Sequence, residues 1–291
     1  MTTRSRGMGW REDVNPSLKA RRLSHAPGIR IGATPKTATL RQYRGRRLYQ
    51  DGFGACVLFG IARALHVGLQ IDGNPDPPMP SPWHLYHIGL AQEHEGVDAD
   101  ERPPLIDRGT YPAIVLEAAR KLGFVPWDSA PYGPEGSTLE DHTPENAALA
   151  PLYPEVARPS SSALREGIDQ SGLQWFDASY TSGTARSEAI ADGMNAVRPI
   201  PFVLGMDVDT AFLWHRGSEP IRSIDPTRIE GGHMVEVVEI LPGGHALIDN
   251  WWDDWGGVDD IDDGLGILHV DLLGSKHVRN VYGIISQPSF A

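Results

Sequence analysis

The one cysteine of this 291-residue chain, Cys56, stands where the turn Gly52-Phe53-Gly54-Ala55 gives way to the apolar run Val57-Leu58-Phe59-Gly60-Ile61. A single thiol excludes an intramolecular disulfide and any zinc or iron–sulfur site built from several cysteines. Whatever fold the chain takes is therefore held by its core. Val57, Leu58, Ile61 and Leu65 fall at helical spacing, which predicts a helix over 56–69. At the start of such a helix, unpaired N–H groups and the helix dipole favour negative charge. A thiol placed there is expected to have a lowered pKa and to act as a thiolate nucleophile. The same residue also fits a small apolar side chain on a core helix.

The flanking sequence sets the organisation. Residues 1–45 scatter Gly, Pro and Arg without a period and read as an extended arm. After a Pro-rich loop over 72–80, Ser81-Pro82 has the pattern of an N-cap with Pro at the first helical position, opening a helix through about Glu93. A third helix is predicted from Tyr111 to Leu122. Residues 126–162, rich in Pro, Ser and Gly, form the boundary between halves. Beyond it, Ile200–Val208, His233–Ile240, Ala246–Trp251 and Ile267–Val270 read as strands. Helices first and strands second argue for an α+β fold, not a doubly wound sheet. The expected divisions are an arm over 1–45, a helical half over about 46–150 and a β half over about 160–291.

Charge is unevenly spread. The chain carries a formal −12, yet residues 1–50 hold twelve Lys or Arg against Glu12 and Asp13, a net +10 on an acidic remainder of −22. No basic motif interleaved with aromatics accompanies this arm, so it is expected to lie on its own acidic body, and nucleic acid is not an expected partner. No run of about 18 apolar residues predicts a membrane span. The start, Met1 to Gly7, leads into Trp10-Arg11-Glu12-Asp13 and not into an apolar segment, so a cytoplasmic, reducing location is expected. The acidic cluster Asp253, Asp254, Asp259, Asp260, Asp262 and Asp263 has Ile261 at a position a calcium loop would need for a ligand, and reads as a solvated loop. His84 and His87 lack an evident carboxylate partner for a metal. Gly52-x-Gly54 lacks the third Gly and the strand–helix context of a dinucleotide site. No metal and no cofactor are expected.

Two further segments join Cys56. His233 opens an apolar run after Gly231-Gly232, and Asn250 ends Ala246-Leu247-Ile248-Asp249 before Trp251-Trp252. Alone, the His fits a satisfied core position and the Asn a turn. Together with Cys56, in this order, they supply a nucleophile, a base and an orienting amide. With these motifs the chain resembles the papain-like cysteine peptidases, in particular bacterial and viral branches without disulfides. Gln50 precedes Cys56 by six residues, Gly232-His233 stands on a strand, and Asn250 is followed by Trp252 and Trp255-Gly256. Ser81-Pro82-Trp83-His84-Leu85-Tyr86 resembles the family's second helix. Asp107-Arg108-Gly109-Thr110 resembles the stretch lining its substrate cleft, and Trp10-Arg11-Glu12-Asp13 an N-terminal motif of bacterial members.

The resemblance implies a two-subdomain fold with the cleft between the halves, and hydrolysis of peptide bonds in protein or peptide substrates. It gives Cys56 as nucleophile, His233 as its ion-pair partner and acid–base, and Asn250 as the amide that fixes the His233 ring. It gives Gln50 and the Cys56 N–H as oxyanion donors, Trp252 as a shield over the His–Asn bond, and Gly109 as a backbone contact for substrate. Departures affect packing: Val57 replaces an aromatic after the nucleophile, and Phe53 a cysteine before it. A thiol amidase or acyl transferase on the same triad, or a non-catalytic structural protein such as a virion component, are the rival readings. The arm would then serve for tethering, or would cover the cleft as an inhibitory segment.

Overall fold

The computed structural model describes residues 8–12, 21–22, 37–50, 52–97, 105–132, 138–144, 167–259 and 263–286. Asp13, Asp260, Ile261, Asp262 and most of the expected boundary segment 126–162 lie outside them. Helix α1 (Cys56–Ile71) begins at the expected residue. Its residues from Cys56 to Leu69 are all buried, as befits a helix that is apolar on nearly every side. Helix α2 (Pro82–Glu93) starts as predicted, with the Ser81 hydroxyl accepting the His84 N–H at 3.0 Å and Pro82 in its first turn. Helix α3 (Pro112–Leu122) ends at Gly123, whose φ of +73° suits a residue without a Cβ.

The second half supplies most of a twisted sheet. Its strands are β3 (Gln174–Asp177), β4 (Phe202–Asp209), β5 (Ile229–Ile240), β6 (Ala246–Asp249), β7 (Leu265–Leu268) and β8 (Val278–Ile285). The arm adds β1 (Arg21–Arg22) and β2 (Ala38–Thr39). The order is β1-β3-β8-β4-β5-β6-β7, with β2 paired to β5. Only β1 against β3 is parallel; all other pairs are antiparallel. The expected α+β class is the one observed. Strands β3 and β8 and helix α4 (Thr184–Met194) were not expected, because their apolar residues are interrupted by Asp, Asn, Arg and Gly. Short helices α5 (Thr210–Leu213) and α6 (Val270–Leu273) and the 3₁₀ turns Arg41–Tyr43 and Trp127–Ser129 complete the described elements. No described helix is long and apolar enough to cross a membrane.

The arm is part of this architecture. Leu40 donates its N–H to Val238 O at 2.8 Å beside the β2–β5 pairing. Its arginines meet acids of the body: Arg11 with Glu93 at 3.0 Å, Arg41 with Asp259 and Glu239, and Arg44 with Asp249 at 2.9 Å. Two apolar clusters form the core. One surrounds α1, α2 and α3; the other lies under β4, β5, β6 and α4. Cys56 is a free thiol, so packing and buried polar contacts hold these parts. One such contact is the Ser81 hydroxyl, which caps α2 and also donates to Ala130 O. Ser81→Ala should lower unfolding free energy by about 1–2 kcal/mol in urea titration, the usual loss of a cap with one buried hydrogen bond.

Candidate active site

The site is assembled where the N-terminus of α1 meets β5. Ala55 accepts from Leu58 and Phe59 through its carbonyl and so begins the helix, whose first N–H groups have no carbonyl of the helix to bond. The helix approaches β5 closely because Gly60 carries no side chain. A Cβ there would stand 3.1 Å from Met234 Cγ and 3.5 Å from Val203 Cγ1. Met234 follows His233, so this contact brings the start of the helix to the strand that carries the histidine. The backbone N–H groups of Gly9, Met234, Val57 and Trp10 all act on the Cys56 thiol and favour its ionised form.

His233 and Asn250 are brought together as the sequence suggested. The His233 Nε2 and Asn250 Oδ1 are 2.7 Å apart, and the same oxygen accepts the Trp251 N–H at 2.7 Å. Trp252 stacks on His233 with ring centroids 3.9 Å apart and an interplanar angle of 21°. All three residues are buried. Strand pairing explains the meeting: Glu236 lies opposite Asp249 in the β5–β6 ladder, so Asn250 follows the end of β6 near the level of His233. Trp251 fastens the turn by donating its indole N–H to Met234 O at 3.0 Å.

Gln50 is buried next to the turn before Cys56. Its backbone N–H donates to Trp251 O at 2.8 Å, and one side-chain N–H donates to Phe53 O at 2.5 Å. Tyr132 donates its hydroxyl to Gln50 O at 2.7 Å. The stretch leading to Gln50 is held from behind by the fully buried Arg63 of α1, whose guanidinium donates to the carbonyls of Arg44 and Arg46. Glu236 and Asp249 lie near that cation, and burial pushes the Glu236 carboxyl up to about 8 despite it.

Gly109 lies across the site with φ of +70° and donates its N–H to the Tyr86 hydroxyl at 2.8 Å. That hydroxyl donates in turn to Asp107 at 2.5 Å, and the Asp107 carboxylate accepts the Gly54 N–H at 2.9 and 3.1 Å. The wall at Gly109 and the turn before Cys56 are thus tied by one chain of hydrogen bonds. Asp107 was expected to line the cleft; its tie to the nucleophile turn was not legible, because residues more than 50 apart form it.

The site is covered. Residues 8–12 run through it in extended form, parallel to residue 110, with Thr110 N–H donating to Gly9 O at 2.8 Å and Arg11 N–H to Thr110 O at 3.1 Å. Gly9 donates its N–H to Cys56 Sγ at 3.3 Å. A Cβ on Gly9 would fall inside the Gly54 carbonyl, so only glycine passes this point. Trp10 is buried beside Gly205, Gly232 and Asn280. The thiol under this segment is wholly buried, and burial pushes its pKa up to about 11, outweighing the four N–H groups. That corrects the expectation of a lowered pKa for the covered state. The helix N-terminus is present, but water is excluded. Gly205 and Asn280 were missed because Asn280 lies on β8, which the sequence did not reveal, and Gly205 sat unremarked within an expected strand.

No protein-family model matches the chain, and no curated protein does. Among solved structures, xylellain, a cysteine protease from Xylella fastidiosa, is 20% identical over 99% of both chains, with a TM-score of 0.68. A procathepsin B from Trypanosoma congolense is 15% identical over 97% of this chain and 87% of its own, with a TM-score of 0.65. A cysteine protease of Carica candamarcensis, in complex with E-64, is 15% identical over 87% of this chain and all of its own, with a TM-score of 0.55. The chain has the fold of the papain-like cysteine proteases.

Proposed function

We infer that the chain is a cysteine endopeptidase, with protein or peptide as substrate, whose cleft is covered by its own N-terminal segment. The observation that carries this reading is the buried His233–Asn250 hydrogen bond under Trp252, on the strand against which the Cys56 end of α1 packs. Asn250 engages Nε2, so His233 serves the thiol through Nδ1. With the segment displaced, His233 takes the Cys56 proton, and the thiolate Sγ attacks the substrate carbonyl carbon. The carbonyl electron pair moves to oxygen, where the Cys56 backbone N–H and the second side-chain N–H of Gln50 stabilise it. Collapse breaks the C–N bond, and His233 protonates the departing amine. Water then attacks the thioester, with His233 taking its proton, and the acid leaves with Cys56 again a thiol. Thr110 holds the substrate backbone as it holds residues 9–11 here, and Gly109, without a side chain, lets that backbone pass close. No step calls for a metal or cofactor. The pairing of arm arginines with acids of the body favours the arm as a cover of its own protein over a nucleic-acid contact.

The covering segment acts as an inhibitor, since its Gly9 N–H occupies the thiol. Cys56→Ser and His233→Ala should each reduce peptide hydrolysis more than about 10⁴-fold. Gln50→Ala should lower kcat by about 10²–10³-fold and leave measurable turnover. Full hydrolysis by Cys56→Ser defeats the assignment.

The cover makes a pH-dependent forecast. The covered thiol ionises near 11, against 9.0 for a thiol in its ordinary state. Between these values the covered form keeps a proton that the uncovered form has lost, so raising pH from 9 toward 11 draws the equilibrium to the uncovered form. Iodoacetamide labelling of Cys56, followed by mass spectrometry, should be slow at pH 8 and rise steeply toward pH 11. Trp10→Ala should raise both labelling at pH 8 and hydrolysis at least about tenfold, since it deletes the largest side chain that holds the segment down. Unchanged labelling in Trp10→Ala rejects the cover.

A further inference from the structure

Two acids stand directly opposite each other in the β5–β6 ladder. Glu236 of β5 pairs with Asp249 of β6, and the two are 2% and 1% exposed. Side chains of directly opposite residues leave a sheet on one face, with Cβ atoms about 4.5–5.5 Å apart. Like charges so placed repel, and burial removes the water that would screen them. The face is the one that meets α1. Strand alternation puts Glu236 on the side of Met234, which packs on Gly60, and His233 on the other side. Asn250, the residue after Asp249, bonds His233 on that other side. The acid pair and the His233–Asn250 bond therefore stand back to back on the same two strands.

The polar atoms around the pair do not balance as two carboxylates. Three charged groups act on Glu236: Arg63 from α1, Arg44 from the stretch before Gln50, and Asp249 itself. Arg44 donates to Asp249 Oδ1 at 2.9 Å, and Arg63 donates to the carbonyls of Arg44 and Arg46. Glu236 Oε2 and Asp249 Oδ2 are left buried with no hydrogen-bond partner among the described residues. A buried carboxylate oxygen without a donor is costly. Here two such oxygens, on one face and at paired positions, lack a single hydrogen. We propose that Glu236 and Asp249 share one proton, Glu236 Oε2–H donating to Asp249 Oδ2, and that this hydrogen bond across the ladder positions Asn250. Burial pushes the Glu236 carboxyl up to about 8 and so keeps the proton in place at neutral pH. Its loss sets two carboxylates against each other at the residue before Asn250, and the amide that orients His233 is no longer held in place. The shared proton stands on the structure alone; its effect on turnover rests on the peptidase reading above.

The test compares the full-length chain with Glu236→Gln, which keeps a donor but has no acid proton, and with Glu236→Leu. The infrared spectrum of the parent minus that of Glu236→Gln should show the C=O band of one protonated carboxyl at pH 6 and none at pH 10. Stability gives a second readout. Glu236 ionises at about 8 in the folded chain against 4.5 ordinarily, so between these values the folded form keeps a proton that the unfolded form has lost. Its contribution to stability therefore falls as pH rises from 4.5 to about 8 and is level above that. In urea titrations the folding equilibrium constant of Glu236→Gln, relative to the parent's, should rise at least about tenfold from pH 5 to pH 8. Turnover is read with Trp10→Ala added to each chain, to lift the cover. The ratio of kcat at pH 9 to kcat at pH 6 should be at least about threefold higher with Gln than with Glu at position 236. Leu, which offers Asp249 no donor, should lower kcat at pH 6 about tenfold, and Gln should recover most of that loss. No carboxyl band at pH 6, or a stability ratio that is flat from pH 5 to pH 8, overturns the shared proton. Equal kcat ratios with Gln and Glu overturn the positioning role. If no chain cuts peptides, the peptidase reading falls, while the infrared band and the stability slope still decide the shared proton.

Discussion

The close packing of α1 against β5 is the contact on which the rest of the site depends. Glycine at position 60 favours it, because a Cβ there would stand 3.1 Å from Met234 Cγ and force that side chain to shift. It places the open N–H groups of a buried helix at the strand that carries His233. A helix end screened by water has a weak field, and one enclosed by packing has a strong one. Phe59, Trp127, Tyr132 and Trp251 supply that enclosure around the first turns of α1. Without a disulfide, these rings and the Asp107–Tyr86 chain of hydrogen bonds carry the task of holding the nucleophile turn against the cleft wall.

Buried charge is arranged around the same contact. Arg63 projects from α1 between the carbonyls of the 44–46 stretch and the carboxylates of Glu236 and Asp249. A cation taken out of water is tolerable only with such partners. The consequence is positional: the stretch that ends at Gln50 is tied to the back of the helix that begins at Cys56. Gln50 and Cys56 are thereby tied to each other through one buried side chain.

The cover exploits a backbone solution to a steric problem. At the nucleophile, Gly9, Gly54 and Gly109 meet main chain to main chain, and a Cβ on any of them would collide with a neighbour. The segment passes close enough to touch the sulfur only because all three lack side chains. One residue further on, affinity comes from a side chain in a slot. The same cleft therefore combines a crossing open only to glycine with a close fit around the Trp10 ring.

By itself the sequence determined the three helices of the first half, the α+β order, and the residues Cys56, His233, Asn250, Gln50, Gly109 and Trp252 as a group worth assembling. Those are legible because helical spacing, an N-cap with Pro, and short motifs around glycine are local patterns. The place of the arm, the slot for Trp10, the tie through Asp107 and the burial that raises the thiol pKa were decided only by the tertiary structure. Each joins segments separated by tens to hundreds of residues, as Trp10 and Asn280 are by 270. Local pattern specifies which groups a segment presents. Packing alone decides what covers them, and so whether a thiol at a helix N-terminus is an exposed thiolate or a buried, protonated sulfur.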